Sequence, residues 1–164
     1  MRPTFYFEDD NKKENPIKAG GVLFYRKNDI GKYDKYEMLM IHSKDKYEDF
    51  GGQTDPNDND LVDTVSREVE EESNGIFSKS FVKNIIKDIE PIYIKNCKYM
   101  LYIAELDKYY DPEIFGDREI HDNINRTIKW VPIDEFEHGE LNFRLTDKNV
   151  SKQLKNLQVH NTNT

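Results

Sequence analysis

Apolar positions in this chain come in short blocks separated by long polar stretches. Residues 19–25 and 36–42 read as β-strands, and the polar stretch between them, with Asn28, Asp29 and Gly31, carries turn formers, so the pair predicts a hairpin. Residues 49–52 then lead into a glycine loop, where Gly51 and Gly52 let the backbone approach a ligand closely. Asn59 or Asp60 can cap a helix over residues 61–73, with Val62, Val65 and Val69 as its apolar stripe. Segments within 81–94 and 98–106 have strand-like apolar and aromatic content, 127–131 predicts a further strand, and 145–157 a final helix. Residues 1–16 and 158–164 show no periodic pattern and predict loosely ordered ends.

The helix over 61–73 also carries Arg67-Glu68-Val69-Glu70-Glu71-Glu72. At roughly 100° per residue, Glu68, Glu71 and Glu72 fall within about 100° of arc, while Glu70 projects about 160° from Glu68 and reads as a plain solvent residue. Like charges so placed oppose helix formation and raise one another's pKa unless something positive sits among them. A hard divalent cation is one such group. Mg²⁺ takes oxygen ligands and is commonly shared between a few carboxylates and substrate phosphates, which points to metal-assisted phosphate chemistry. The plain alternative is the solvated face of a surface helix.

Length and composition bound the rest. A chain of 164 residues that is 36% hydrophobic is of the size for one core and predicts a single domain. A formal charge of −8 argues against a broad electrostatic footprint for extended nucleic acid, so an anionic partner must be met locally. The single cysteine, Cys97, excludes an intramolecular disulfide, and beside the run Tyr99-Met100-Leu101-Tyr102-Ile103-Ala104 it reads as a packed small residue. No signal-peptide core and no apolar run near the roughly 20 residues of a membrane span are present, so the expected location is cytoplasmic or otherwise intracellular.

The stretch from Gly51 to Gly75 resembles the Nudix box, the loop-helix signature of hydrolases of nucleoside diphosphates linked to another moiety. The family pattern runs Gly, five residues, Glu, seven residues, then Arg-Glu-apolar-x-Glu-Glu-x-Gly-apolar. This chain supplies Gly52, Asp58, Arg67, Glu68, Val69, Glu71 and Glu72. It departs at three points: Asp58 stands for the glutamate, eight residues separate it from Arg67, and Asn74 replaces the helix-ending glycine, with Gly75 next. Asn is the next-best residue for a left-handed helix cap. A looser likeness runs from about Lys18 to Phe136 and takes in Trp130 and Pro132-Ile133-Asp134-Glu135-Phe136.

The resemblance implies an α/β fold, a mixed curved β-sheet packed between helices, over residues 18–157, with 1–17 as an N-terminal extension able to add a strand and 158–164 as a polar tail. It further implies Mg²⁺, with Mn²⁺ as the substitute, held by Glu68, Glu71, Glu72 and the Gly51 carbonyl. Water then attacks a phosphorus of a diphosphate linkage. Arg67 corresponds to the arginine that orients a box carboxylate, and Gly52 and Asp58 support the box. The base is either a box glutamate, Glu68 or Glu71, or an acid on the loop before the last main strand, where Glu119 in residues 115–122 is the candidate. The implied partner is a small phosphorylated compound, a nucleotide by the family's habit, with a homo-oligomer compatible. Capped RNA, a diphosphoinositol phosphate and a non-catalytic nucleotide-binding module remain as alternatives. Phe24, Tyr25, Tyr47 and Phe50 could form a base-stacking wall or could simply be core and surface aromatics.

Overall fold

A computed structural model describes residues 1–28, 35–136 and 140–162. The strands are β1 (Phe5–Glu8), β2 (Glu14–Ile17), β3 (Ala19–Asn28), β4 (Lys35–Ser43), β5 (Lys46–Glu48) and β6 (Phe50–Gln53), followed by β7 (Ile92–Ile94), β8 (Tyr99–Glu105), β9 (Arg118–Glu119), β10 (Ile124–Asn125) and β11 (Thr127–Pro132). Helices α1 (Leu61–Glu72) and α2 (Lys79–Ile86) lie between β6 and β7, and α3 (Ile133–Phe136) and α4 (Lys148–Thr162) follow β11. The main sheet has the order β11-β4-β3-β8-β7. β3 and β8 pair in parallel, which requires a crossover, and α1 and α2 supply it. The opposite edge of β3 is shared: Phe24 to Asn28 pair with β4, whereas Ala19 to Val22 pair with β6.

Alternation along β3 sorts the core into two layers. Val22 and Phe24 face a cluster with Val65 and Val69 of α1, Val82 and Ile86 of α2, Phe77 and Phe115. Leu23 faces the other side, with Met38, Met40, Leu101, Leu145 and, from α4, Val150 and Leu154. The sheet is therefore buried on both faces, as the unbroken apolar runs of β3 and β8 require. The hairpin turn expected around Asp29 and Gly31 lies outside the described residues, while Asn28 ends β3.

Four expectations change. Residues 50–52 are not a loop: they belong to the sheet strand β6, and Gly21 of β3, where a Cβ would collide with the Phe50 carbonyl, leaves room for its backbone to pair closely. Part of 81–94 is α2, whose Phe81, Val82, Ile85 and Ile86 follow a helical period and whose start is capped by Ser78, accepting from the Phe81 N–H at 3.1 Å. The final helix begins at Lys148, not 145, because Asp147 accepts from the N–H groups of Asn149 (2.8 Å) and Val150 (3.4 Å). Residues 5–17 form the β1–β2 hairpin, which has a tertiary reason: Phe5 and Phe7 pack on the first cluster, and Phe7 meets Tyr93 edge to face at 4.7 Å. Cys97 is partly buried against the second cluster. Among the described residues no helix is long and apolar enough to cross a membrane.

Candidate active site

α1 begins at Asp60, whose side chain accepts from the Asp63 N–H at 2.8 Å, so the sequence caps the helix as expected. One turn on, Arg67 becomes the hub of the site. Its Nε and Nη2 each donate to Asp58 at 3.0 Å, a two-pronged pair. Nη1 donates to Glu68 Oε1 at 2.9 Å and reaches Glu71 at 3.4 Å, while Nη2 also donates to the Gln53 carbonyl at 2.9 Å. The positive group expected among the carboxylates is thus in part the chain's own arginine. Asp58, despite the extra loop residue, reaches Arg67 and also accepts from Thr64 Oγ1 and the Asp55 N–H, both at 2.8 Å. Burial pushes the Asp58 carboxyl up, but the bonds from Arg67, Thr64 and the backbone outweigh it and hold it below the usual range.

The three box glutamates divide between two surroundings. Glu68 and Glu71 line an open cleft of about 310 Å³ together with Arg67, Gln53 and Asp55. Glu72 turns toward the sheet, where its Oε2 lies 3.4 Å from the Gly51 N–H. A strand residue directs its N–H and C=O to the same edge in an antiparallel ladder, so the Gly51 carbonyl also faces away from β3 toward the box. A Cβ at Gly52 would displace the Glu68 carboxylate, so the close approach foreseen for a ligand is made by the chain itself. Burial, then nearby Glu48 and Glu68, push the Glu72 carboxyl well above its ordinary value, and burial raises Glu68 against the pull of Arg67. Glu70 is not idle in solvent: its Oε2 accepts from the Lys79 N–H at 2.9 Å and joins α1 to α2.

Glu119 comes to the box from a distant stretch of sequence. It is only 6% exposed, not part of an open acidic loop, and its Oε1 is buried with no hydrogen-bond partner among the described residues. Burial, Asp122 and Glu68 push its carboxyl up. His121 and Asp122 lie close enough to share an ion with it, and His121 Nε2 is 3.5 Å from Glu71 Oε1. Two side chains dock this segment on the end of α1. Asn74, left-handed at φ 53°, donates from Nδ2 to the carbonyls of Phe115 and Arg118, both at 2.8 Å, and its Oδ1 accepts from the Ile120 N–H at 3.0 Å. Arg126, 5% exposed, donates to the carbonyls of Gly116 (2.6 Å), Glu72 (2.9 Å) and Phe115 (3.0 Å).

Sequence reasoning missed Arg126, the side-chain work of Asn74, and a buried network behind Glu72. There Arg144 Nε donates to Asp49 Oδ1 at 2.6 Å, Tyr99 donates to Asp49 Oδ2 at 2.5 Å, and Arg144 Nη2 lies 3.5 Å from Glu48. A lone arginine in a polar stretch carries no local signal of such partners. The stacking wall is not formed: Phe24 and Phe50 are fully buried core rings, Tyr25 packs on Tyr36, and Tyr47 stacks on His42.

No protein-family model and no curated protein matches the sequence. Solved structures do resemble the fold. A C. elegans Ap4A hydrolase in a binary complex aligns at TM-score 0.57 and 19% identity, covering 90% of this chain and 100% of that one. Another structure of C. elegans Ap4A hydrolase gives 0.50 at 19% identity, with coverage of 88% and 97%. A mutT/nudix family protein from Listeria innocua gives 0.50 at 16% identity, with coverage of 88% and 93%.

Proposed function

We propose that this chain, which has the fold of the Nudix hydrolases, is a Mg²⁺-dependent pyrophosphohydrolase acting inside the cell on a small nucleotide or nucleoside diphosphate derivative. The observation that carries the reading is the Arg67-centred carboxylate set, with Glu68 and Glu71 at an open cleft, Glu72 behind them and Glu119 arriving from β9. The donors suit a hard cation. Arg67 cancels part of the charge, but the buried Glu72 carboxylate has, among the described residues, one long N–H contact. Carboxylates left this poorly compensated disfavour the fold unless a cation joins them. Glu68, Glu71, Glu72 and the Gly51 carbonyl would hold it, an all-oxygen set of the kind Mg²⁺ and Mn²⁺ accept. When bound, such an ion neutralises phosphate oxygens and makes water more acidic.

The chain's own residues supply positioning and proton transfer. Arg67 fixes Glu68 and Glu71 relative to Asp58 and the β6 backbone, so the carboxylates need little rearrangement when substrate arrives. Water attacks phosphorus while a carboxylate oxygen of Glu119 takes its proton; the anhydride P–O bond breaks and its electrons leave with the departing phosphate. The raised Glu119 pKa brings the base nearer to a working pH.

The test is a panel of Ap4A, ADP-ribose, nucleoside triphosphates, capped RNA and a diphosphoinositol phosphate, incubated with Mg²⁺ in heavy-oxygen water and read by mass spectrometry. The label is expected on a phosphate product, with a small nucleotide cleaved faster than capped RNA. Glu71→Gln and Glu72→Gln should each abolish most turnover, and Glu70→Gln should not. Label on sugar or base, or equal losses at all three positions, would refute the reading; binding without cleavage would leave a nucleotide-binding module.

A further inference from the structure

The N-terminal hairpin delivers a cation to the cleft. Thr54, which follows β6 and is 2% exposed, donates from Oγ1 to the Pro3 carbonyl at 2.6 Å. Tyr93 donates from its hydroxyl to the Pro16 carbonyl at 2.7 Å, so both ends of the β1–β2 hairpin are tied to the body of the fold. Arg2, one residue before Pro3, consequently lines the same cleft as Glu68 and Glu71. Arg67 also lines it, but that guanidinium is committed to Asp58, Glu68, Glu71 and Gln53. His121 faces Glu71 and Asp122. Arg2 is exposed and has no hydrogen bond or ion pair among the described residues, although Asp55 and Asp122 line the same cleft.

We propose that Arg2 is a specificity-determining residue that grips a phosphate group lying beyond the linkage that is cut, so that the site favours substrates with three or more phosphates over those with two. This deepens the pyrophosphohydrolase reading and rests on it. A chain of phosphates brings more negative charge than the box and its cation can neutralise, into a cleft already lined by Asp55, Glu68, Glu71 and Asp122. An uncommitted guanidinium offers two parallel N–H donors to non-bridging phosphate oxygens, a match that a lysine ammonium makes only as a point charge. The segment that presents it is fixed by Thr54 and by the packing of Phe5 and Phe7, whereas the arginine side chain itself is free to reach.

The experiment compares wild type, Arg2→Ala and Arg2→Lys, each as the full chain with Mg²⁺. Binding of inorganic tripolyphosphate and of pyrophosphate is measured by calorimetry, and KM and kcat are measured for a nucleoside triphosphate and for ADP-ribose. Arg2→Ala should weaken tripolyphosphate binding and raise the triphosphate KM by about tenfold, with kcat changed less than about twofold, as expected for one charge-assisted contact. Pyrophosphate binding and the ADP-ribose KM should move by less than about twofold, and Arg2→Lys should recover part of the loss. Equal effects on both phosphate lengths, or unchanged tripolyphosphate binding, overturn the assignment to Arg2. If wild type cleaves none of these compounds but Arg2→Ala still weakens tripolyphosphate selectively, the hydrolase reading fails and the Arg2 contact stands.

Discussion

Replacing Asn74 by glycine, the residue of the family pattern, should loosen the segment that carries Glu119. The Asn74 side chain makes three hydrogen bonds to it, at 2.8, 2.8 and 3.0 Å. Each is worth roughly 0.5–1.5 kcal/mol net, so their loss should cost about 1.5–4.5 kcal/mol of docking energy. Glycine accepts φ 53° without strain but is more flexible when unfolded, two effects of about 0.5–1 kcal/mol that oppose each other. Alanine loses the same bonds and adds about 1–2 kcal/mol of left-handed strain. The expected order of stability is therefore wild type, then Asn74→Gly, then Asn74→Ala. Amide exchange at Ile120 reports the docking directly, and its protection should fall at least about tenfold in Asn74→Gly, since 1.4 kcal/mol is a factor of ten. Urea unfolding gives the global difference, and kcat should fall as Glu119 loses its fixed position. Unchanged Ile120 protection in Asn74→Gly would show that the side chain does not hold the segment; equal stability of the glycine and alanine variants would refute the strain argument.

Asp58→Asn should cost about 3 kcal/mol at neutral pH, because it leaves Arg67 without its two-pronged partner in a largely buried setting. The folded Asp58 carboxyl is held below the ordinary aspartate value, so its stabilisation is complete above that ordinary value and is lost as pH falls through the lower folded value; urea unfolding of both proteins should show the gap closing in acid, and a constant gap would refute the pairing. Glu119→Gln should lower kcat by about a hundredfold or more while leaving metal affinity nearly intact. The same substitution should raise neutral-pH stability, because a carboxyl whose folded pKa is raised opposes folding once pH exceeds its unfolded value; full activity, or a lower melting temperature, would count against its role.

What the sequence determined by itself is what depends on neighbours along the chain. Short apolar and aromatic runs bounded by polar turn formers marked β3, β4, β8 and β11, since a strand buried on both faces needs an apolar residue at nearly every position. The spacing Arg67-Glu68-x-x-Glu71-Glu72, with Asp60 as its cap, located the box helix for the same reason, because a helix places residues three and four apart on one face. Glu119 was legible only as a candidate by resemblance; nothing local shows that it is buried beside Glu68. Burial is decided elsewhere, by Asn74 at the end of α1 and Arg126 before β11, whose donors reach carbonyls of the 115–118 segment. The same holds for the N-terminal hairpin: Phe5 and Phe7 lack a recognisable pattern in sequence because their partners, such as Tyr93, lie far along the chain. Only tertiary structure brings Arg2, Arg67, Glu71 and His121 to one cleft, since a hydrogen bond or a packed ring fixes its two ends in space without leaving a period in either stretch of sequence.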